Sequence, residues 1–288
     1  VEAVLGDTSF FRWGDLRDYQ TCLDIAEGQD YIFHLMAVKR NTQSGLSRVA
    51  SQFVPFLMCN TNMMDAAFKC GVSRYMFVGS IGEYPAIPVR HEDDVWNGPP
   101  EANDKYYGIT KRVGEAQGET YLHEYGWEAV RIVRFANVYG PYDDFDPGTA
   151  LVIPALINRT VNGENPLNVA GDGSAVRDFI YSGDAVEGMM LALEKAPPCV
   201  PINIGSGKGY TIKEIAETIA DLVPGKPEIK WDPGRPTGDQ VRILDTRRAK
   251  ELLNYEIKTD IREGIKKTIE WYIANKHTAD IRGKELHG

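Results

Sequence analysis

The chain has 288 residues, of which 43% are hydrophobic and 25% charged, fractions typical of a globular protein and unlike a disordered chain or a disulfide scaffold. Its 32 basic and 41 acidic residues give a net charge of −9, which disfavours a nucleic-acid or anionic-membrane surface. No apolar run approaches the roughly 18 residues of a membrane span, so we expect a soluble, cytoplasmic protein. The four cysteines lack CxxC spacing and nearby histidines, so we expect reduced thiols and no metal site.

The first half of the chain alternates short β-rich runs with longer helical patterns, which is typical of βαβ units and a parallel sheet. The longest predicted helices are Ser44–Cys70 and Asp104–Tyr125. The predicted strands are Phe10–Trp13, Tyr31–Leu35, Arg74–Val78 and Glu128–Arg134. Helices that connect parallel strands in this way predict an α/β fold with a doubly wound, Rossmann-like sheet.

The pattern changes after Tyr139-Gly140-Pro141, where glycine and proline become more frequent and the strands shorter. We therefore place a loose domain boundary near residue 140, with returns of the chain to the first lobe expected, and predict a smaller C-terminal α/β lobe over residues 141–288. The final dozen residues, rich in charge and histidine, are predicted to form a frayed tail. The predicted helices of this lobe are Val152–Val161, Ser182–Glu194, Thr211–Leu222 and Asp260–Asn275.

A YxxxK pentad at Tyr107 and Lys111 places both side chains on one face of the predicted helix. A phenol beside an ammonium group has a lowered pKa and can exchange a proton with an alcohol or ketone near neutral pH. The spacing alone is weak, because a second pentad occurs at Tyr272 and Lys276. That pair lies in the terminal amphipathic helix, where a packing tyrosine and a solvated lysine explain it.

Ser80 follows the apolar strand Tyr75–Gly79, and the carboxyl end of such a strand faces the ligand crevice of a doubly wound sheet. By itself this serine is more typical of a turn. Together with Tyr107 and Lys111 it favours a catalytic role, in which its hydroxyl binds the same substrate oxygen as the phenol.

Eight short segments extend the pattern through almost the whole chain. They are GDLRD at Gly14–Asp18, IFHLMAVK at Ile32–Lys39, FVGSIGEYP at Phe77–Pro85, YYGITKRVGE at Tyr106–Glu115, VRFANVYGP at Val133–Pro141, VRDFIYSGD at Val176–Asp184, NIGSG at Asn203–Gly207 and RPTGD at Arg235–Asp239. In this order they resemble the extended short-chain dehydrogenase/reductases that modify nucleotide-linked sugars. Eight ordered matches are far more specific than any single one.

The resemblance implies that Ser80, Tyr107 and Lys111 form a catalytic triad that works with NAD, or with NADP, at a sugar carbon. It implies that residues 1–140 form a dinucleotide-binding domain and 141–288 mainly a substrate-binding lobe. The cofactor positions that it matches are Asp15 and Leu16 beside the adenine, and Ala37 and Lys39 near the phosphates and ribose.

The same resemblance implies a nucleotide-diphosphate sugar as substrate, contacted by Asn137, Val152, Arg177 and Arg235. The two arginines suit a diphosphate because a guanidinium fork binds its oxygens bidentately, although an isolated arginine is as often a surface ion pair. A homodimer is also implied, in which the two long helices of each chain form an intermolecular four-helix bundle.

The Gly-rich phosphate loop of the family, GxxGxxG after the first strand, is absent from the sequence. We expect that this strand and loop are missing because the chain is a truncated or incompletely recorded copy, and that their loss exposes apolar edges on both neighbouring strands. The choice between NAD and NADP stays open, since Asp7 hints at a ribose 2′-hydroxyl contact but is equally compatible with a turn.

Residues around Ser80 narrow the reaction. Dehydratases of the family carry an acidic residue two positions after the catalytic hydroxyl, where this chain has Gly82, and Glu83 would point away if the segment stays extended. The tract from Asn137 to Leu156 resembles GDP-fucose synthases. Their two proton-transferring residues correspond to Gly82 and Leu151, neither of which transfers a proton.

The remaining chemistry needs only the triad and a nicotinamide. The main prediction is an NAD-dependent 4-epimerase of a nucleotide-diphosphate sugar, acting through transient oxidation at C4. An NADPH-dependent C4-ketoreductase of the GDP-fucose-synthase type needs the same residues and is the first alternative. The second alternative, from another class, is a non-catalytic, cofactor-sensing protein on the same scaffold.

Overall fold

A computed structural model describes residues 11–37, 49–234 and 240–285, with the side chains of 280–285 left out. Its helices are α1 (Tyr19–Ala26), α2 (Ala50–Lys69), α3 (Lys105–Tyr125), α4 (Val152–Val161), α5 (Ser182–Lys195), α6 (Ile212–Leu222), α7 (Arg247–Leu253) and α8 (Ile261–Glu285). Its strands are β1 (Tyr31–His34), β2 (Arg74–Ser80), β3 (Val89–Arg90), β4 (Val130–Phe135), β5 (Asn137–Tyr139), β6 (Leu167–Ala170), β7 (Val176–Arg177), β8 (Phe179–Tyr181), β9 (Pro201–Ile204), β10 (Tyr210–Thr211), β11 (Ile229–Asp232) and β12 (Val241–Leu244).

A parallel sheet in the order β1-β2-β4-β9 forms the centre of the molecule. Both of its faces are covered, so β2 is apolar on both sides: Tyr75 and Phe77 are buried against one core and Met76 against another. Helices α1, α2 and α3 lie on the first side, and α5 and α7 on the second. This arrangement confirms the predicted α/β, doubly wound, Rossmann-like fold.

The C-terminal half has an apolar core of its own, which lies between α4, α6, α8 and the strand pair β6-β11. The two halves exchange strands: β9 follows residue 140 yet pairs with β4 in the central sheet, while β3 precedes it yet pairs with β12. The boundary near residue 140 remains a prediction. None of the helices in the described part of the chain is both long and apolar enough to cross a membrane.

Several predicted elements differ from the observed ones. Residues 11–13 of the predicted strand Phe10–Trp13 are irregular and exposed, because no strand of the described residues pairs with them. The strand predicted from Glu128 begins at Val130, where its ladder with β2 starts. The predicted frayed tail is wrong as far as Glu285: Asn275 has a non-helical φ of −120°, but the helix resumes beyond it.

Strand β1 is the edge of the described sheet, and Tyr31 and Leu35 on and beside it are 59% and 56% exposed. This exposure does not test the predicted missing strand, because any strand at the edge of a sheet has an exposed side. Whether that strand and its loop exist in the protein stays an expectation, because residues 1–10 lie outside the described ranges.

Candidate active site

Ser80 ends β2 beside Phe135 of β4, at the carboxyl end of the central sheet. The chain then turns into a single 3₁₀ turn, Ile81–Glu83. The Ser80 hydroxyl accepts a hydrogen bond from the Gly82 amide at 3.1 Å, and the Glu83 carboxylate accepts one from the Ser80 amide at 2.6 Å. This capping box fixes the backbone of Ser80 and therefore the direction of its hydroxyl.

Tyr107 lies in the first turn of α3, close enough to the Ser80 side chain for hydrogen bonding to that residue to act on the pKa of the phenol. The helix can approach the 81–83 turn because position 108 is glycine, where any Cβ would collide with the Gly82 carbonyl and with Pro100. The ring of Phe56 packs edge-on against the Tyr107 ring at 5.6 Å between centroids.

Burial, and secondarily the negative charge of Glu83, raises the pKa of Tyr107 well above its ordinary value, although the Ser80 hydrogen bond opposes the rise. The lowered phenol pKa predicted from the neighbouring lysine is therefore not observed. The Lys111 ammonium lies 5.9 Å from the centre of the Tyr107 ring and is desolvated, and it is not among the groups that shift the pKa of Tyr107.

Lys111 is 1% exposed, and its ammonium group donates a hydrogen bond to the Met36 carbonyl at 3.3 Å, just beyond β1. Burial lowers the pKa of Lys111 to about 8, while the charges of Glu83 and Glu115 act in the opposite direction. An ammonium group has three donors, so Lys111 can bind a further acceptor beside Tyr107.

Beneath these residues lies a buried charged cluster of Glu83, Glu115 and Arg134. Arg134 donates to both oxygens of Glu115, at 2.8 and 2.6 Å. Burial, and next the charge of Glu115, raises the pKa of Glu83 well above its usual range. The prediction that an extended segment points Glu83 away from the site is therefore wrong, because the chain turns at Ile81. The Ser80-x-x-Glu83 spacing of a capping box is the sequence signal for this turn.

On the predicted cofactor side, Asp15 accepts hydrogen bonds from the Arg17 guanidinium, which lowers the pKa of Asp15 to about 2. Leu16 is half-buried, and its backbone carbonyl accepts a hydrogen bond from the Asn62 side-chain amide of α2 at 3.1 Å. Ala37 is exposed three residues past the end of β1. Lys39 lies outside the described residues.

These residues fit the nicotinamide end of a dinucleotide. A buried ammonium with donors to spare lies beside a phenol and a serine hydroxyl, which is the donor set that a ribose and a reacting oxygen require. The residues that would hold the phosphates are not among those described.

On the predicted substrate side, Asn137 begins β5 two residues after Phe135 and donates to the Asp178 carbonyl at 2.8 Å. Val152 is the half-buried first residue of α4. Arg177 lies in β7, where its guanidinium donates to the Val176 carbonyl at 2.8 Å. Arg235 is outside the described ranges. Ser80, Tyr107 and Lys111 are thus brought together, and Asn137 follows two residues after Phe135, the ladder partner of Ser80, in the strand pair β5-β8.

Sequence reasoning missed one pair at this site. Asp104 immediately precedes α3 and accepts a hydrogen bond from Arg242 of β12 at 2.8 Å. Arg242 also pairs with the buried Glu101. The partners are 138 residues apart, and no motif signals the contact.

A family model described as "NAD dependent epimerase/dehydratase family" matches residues 2–205. The chain is 31% identical over 226 residues to a probable GDP-L-fucose synthase 1 of Oryza sativa subsp. japonica, covering 76% of this chain and 68% of that protein. It is 31% identical over 253 residues to dTDP-4-dehydro-6-deoxy-D-allose reductase of Streptomyces bikiniensis, covering 86% and 76%.

Among solved structures, UDP-glucose 4-epimerase of Thermotoga maritima superposes with a TM-score of 0.81 at 28% identity, over 91% of this chain and 84% of that one. A structure of a GDP-L-fucose synthetase from Naegleria fowleri has a TM-score of 0.82 at 24% identity, over 92% and 84%, and shows the shared fold. The predicted enzyme class and nicotinamide cofactor are confirmed. By the extent of the model match and of these alignments, the chain belongs to the NAD dependent epimerase/dehydratase family.

Proposed function

We propose that this protein is an NADPH-dependent reductase that converts the C4 ketone of a nucleotide-diphosphate sugar to an alcohol. The observation that carries the proposal is the arrangement of Ser80, Tyr107 and Lys111 at the carboxyl end of the central sheet, in a chain whose sequence relatives include GDP-L-fucose synthases and a keto-sugar reductase. A protonated phenol is the proton donor that ketone reduction needs, whereas oxidation of an alcohol needs the phenolate.

Each residue of the proposed triad has one task. The Ser80 hydroxyl donates to the ketone oxygen and orients it, and Tyr107 gives that oxygen its proton as the alcohol forms. Lys111 binds the nicotinamide ribose and places a positive charge near the developing alkoxide. A reduced nicotinamide, when bound, supplies the hydride.

The relatives support a nucleotide-linked keto sugar as substrate. Several relatives by sequence are named GDP-L-fucose synthase, and another is named a dTDP-4-dehydro-6-deoxy-D-allose reductase. Asn137, Val152, Arg177 and Arg235 are proposed to bind the nucleotide-diphosphate part. Gly82 and Leu151 carry no proton-transferring group, so we propose reduction without epimerisation of the neighbouring carbons.

A second candidate is an NAD-dependent 4-epimerase, supported by the similarity to the UDP-glucose 4-epimerase of Thermotoga maritima. It would use the same three residues, with Tyr107 first acting as a base. The sequence relatives favour the reductase, because they include GDP-L-fucose synthases and a dTDP-4-dehydro-6-deoxy-D-allose reductase.

To test the proposal, the protein is incubated with GDP- and dTDP-linked 4-keto-6-deoxy sugars and NADPH or NADH. In parallel it is incubated with UDP-, GDP- and dTDP-hexoses and NAD. The reductase oxidises NADPH in proportion to the ketone consumed and leaves the hexoses unchanged. Inversion of a hexose at C4, seen by NMR without net change in cofactor, would contradict the reductase and support the epimerase. Absence of both reactions would refute both candidates.

We also propose a homodimer formed through α2 and α3. Apolar side chains on these helices, Val54, Met58 and Val113, are between 38% and 51% exposed. Sedimentation of the protein at micromolar concentration would give twice the chain mass of 32.1 kDa if the proposal is correct.

A further inference from the structure

Asp104 occupies the residue before α3, where an aspartate usually accepts a hydrogen bond from an amide of the first helical turn. Here the carboxylate makes no such bond to its own helix. It points instead to the Arg242 guanidinium of β12, at 2.8 Å. A guanidinium partner favours the ionised carboxylate and limits its rotation, so the group is a fixed hydrogen-bond acceptor.

The Asp104 carboxylate lies at the catalytic residues. Its Oδ2 atom is 3.4 Å from the point where a Cβ on Gly82 would be, in the turn that follows Ser80. It is also close enough for its charge to act on the Tyr107 phenol. Because Gly82 has no side chain, nothing from that position covers the carboxylate, and the Asp104 side chain stays 32% exposed.

The partner of Asp104 points to the other end of the substrate. Arg242 is the register partner of Arg177 in the parallel pair β12-β7, so both side chains emerge on the same face of that sheet. Under the proposed function, Arg177 binds the diphosphate and Ser80 and Tyr107 bind the ketone oxygen. The sugar ring must then lie between these two groups, beside the Asp104–Arg242 pair.

The chemistry of the ring decides what Asp104 can bind. In a 4-keto sugar the carbons next to the ketone are C3, which carries a hydroxyl, and C5, which carries the ring oxygen and no hydroxyl. The C3 hydroxyl is therefore the donor nearest to the ketone oxygen. We propose that Asp104 accepts a hydrogen bond from this C3 hydroxyl and makes the enzyme select 4-keto sugars that keep it over their 3-deoxy analogues.

This inference rests on the proposed function, and the experiment separates the two. The wild type is assayed with NADPH and a GDP-linked 4-keto-6-deoxy sugar, and with the same compound lacking the C3 hydroxyl. A charged hydrogen bond contributes about tenfold to a hundredfold, so kcat/KM for the hydroxylated sugar should exceed that for the 3-deoxy sugar by this factor. If the protein oxidises NADPH with neither of these sugars, nor with the corresponding dTDP-linked pair, the proposed function is refuted.

Two variants test whether the selection for the C3 hydroxyl depends on the Asp104 carboxylate. Asp104→Asn keeps the size of the side chain but removes its charge, and should lower the ratio of the two kcat/KM values about tenfold. Gly82→Ala places a methyl group within 3.2 to 3.4 Å of Asp104 side-chain atoms and should lower the same ratio by covering the carboxylate. The matched control is Asp93→Asn, an exposed aspartate paired with Arg248 at 2.7 Å, which should leave the ratio unchanged.

Two results would overturn the inference while leaving the proposed function intact. One is a wild type that reduces both sugars with equal kcat/KM. The other is an Asp104→Asn variant that reduces the 4-keto sugar and keeps the wild-type ratio of the two kcat/KM values, because the carboxylate would then have no part in the selection.

Discussion

The two YxxxK pentads of this chain share a spacing but differ in surroundings. Tyr107 lies near the Ser80 side chain at the carboxyl end of a parallel sheet, and Lys111 is buried one helical turn away. Tyr272 is completely buried in the apolar core of the C-terminal half. Its hydroxyl accepts a hydrogen bond from the Asn158 side chain at 2.8 Å, and its ring stacks on Phe145.

The lysine of the second pentad also has different surroundings from Lys111. Lys276 follows the non-helical Asn275, so the regular helical offset from Tyr272 is interrupted, and it is half-buried at the rim of the core. Residue spacing therefore selects candidates, and the position in the sheet decides which candidate can meet a substrate.

The largest expected effect is at the first tyrosine. Tyr107→Phe removes the proton donor and should lower kcat/KM for the 4-keto sugar about 10³-fold while leaving the melting temperature nearly unchanged. The matched control is Tyr106→Phe, a neighbour with 47% exposure that should keep wild-type activity. Equal activity of the two variants would remove the distinction between the pentads.

The next largest difference is expected between substitutions of the two pentad lysines, Lys111 and Lys276. Lys111→Met should lower kcat/KM about 10²-fold and weaken NADPH binding, because the ammonium beside the reacting oxygen is lost. Lys276→Met should change neither quantity. Cofactor titration by fluorescence, together with steady-state kinetics, measures both, and an active Lys111→Met enzyme would contradict the proposed role of this lysine.

Lys111 should also alter the pH dependence of stability. Its pKa is lowered in the folded protein from 10.5 to about 8, so between these pH values the unfolded chain binds more protons. Wild-type stability should rise relative to Lys111→Met as the pH increases from 8 to 10.5, by about 2 to 3 kcal/mol. Denaturant unfolding of both proteins across this range measures the difference, and a constant difference would refute it.

The smallest effect is expected at the second tyrosine. Tyr272→Phe removes the acceptor of the Asn158 and Asn162 side-chain amides and should lower the free energy of unfolding by about 1 kcal/mol. Reductase activity should remain at the wild-type level. A Tyr272→Phe protein that is stable but inactive would show that the second pentad takes part in catalysis.

The fold, and the meeting of Ser80, Tyr107 and Lys111 at one candidate site, could be predicted because their signals are local. Ser80 follows an apolar strand, and the four-residue offset of Tyr107 and Lys111 needs only a helix. Helix α4 was predicted at its exact bounds, since its apolar residues recur at helical spacing.

The missed features depend on tertiary contacts. The buried position of Glu83 follows from a turn whose depth is set by Glu115 and Arg134, more than 30 residues further on. The pairing of Asp104 with Arg242 requires β12 to lie beside β7 in one particular register. The raised pKa of Tyr107 likewise reflects burial, which a pentad cannot encode.

The exchange of strands between the two halves has a consequence for how specificity can change in evolution. Because β9 pairs with β4 and β12 pairs with β3, a recombination event that replaced everything after residue 140 would remove β9 from the central sheet and β12 from beside β3. A foreign lobe would have to supply both missing ladders in register before it could fold on this scaffold. New substrate preferences are therefore reached more easily by point substitutions around the cleft than by transplanting the C-terminal lobe.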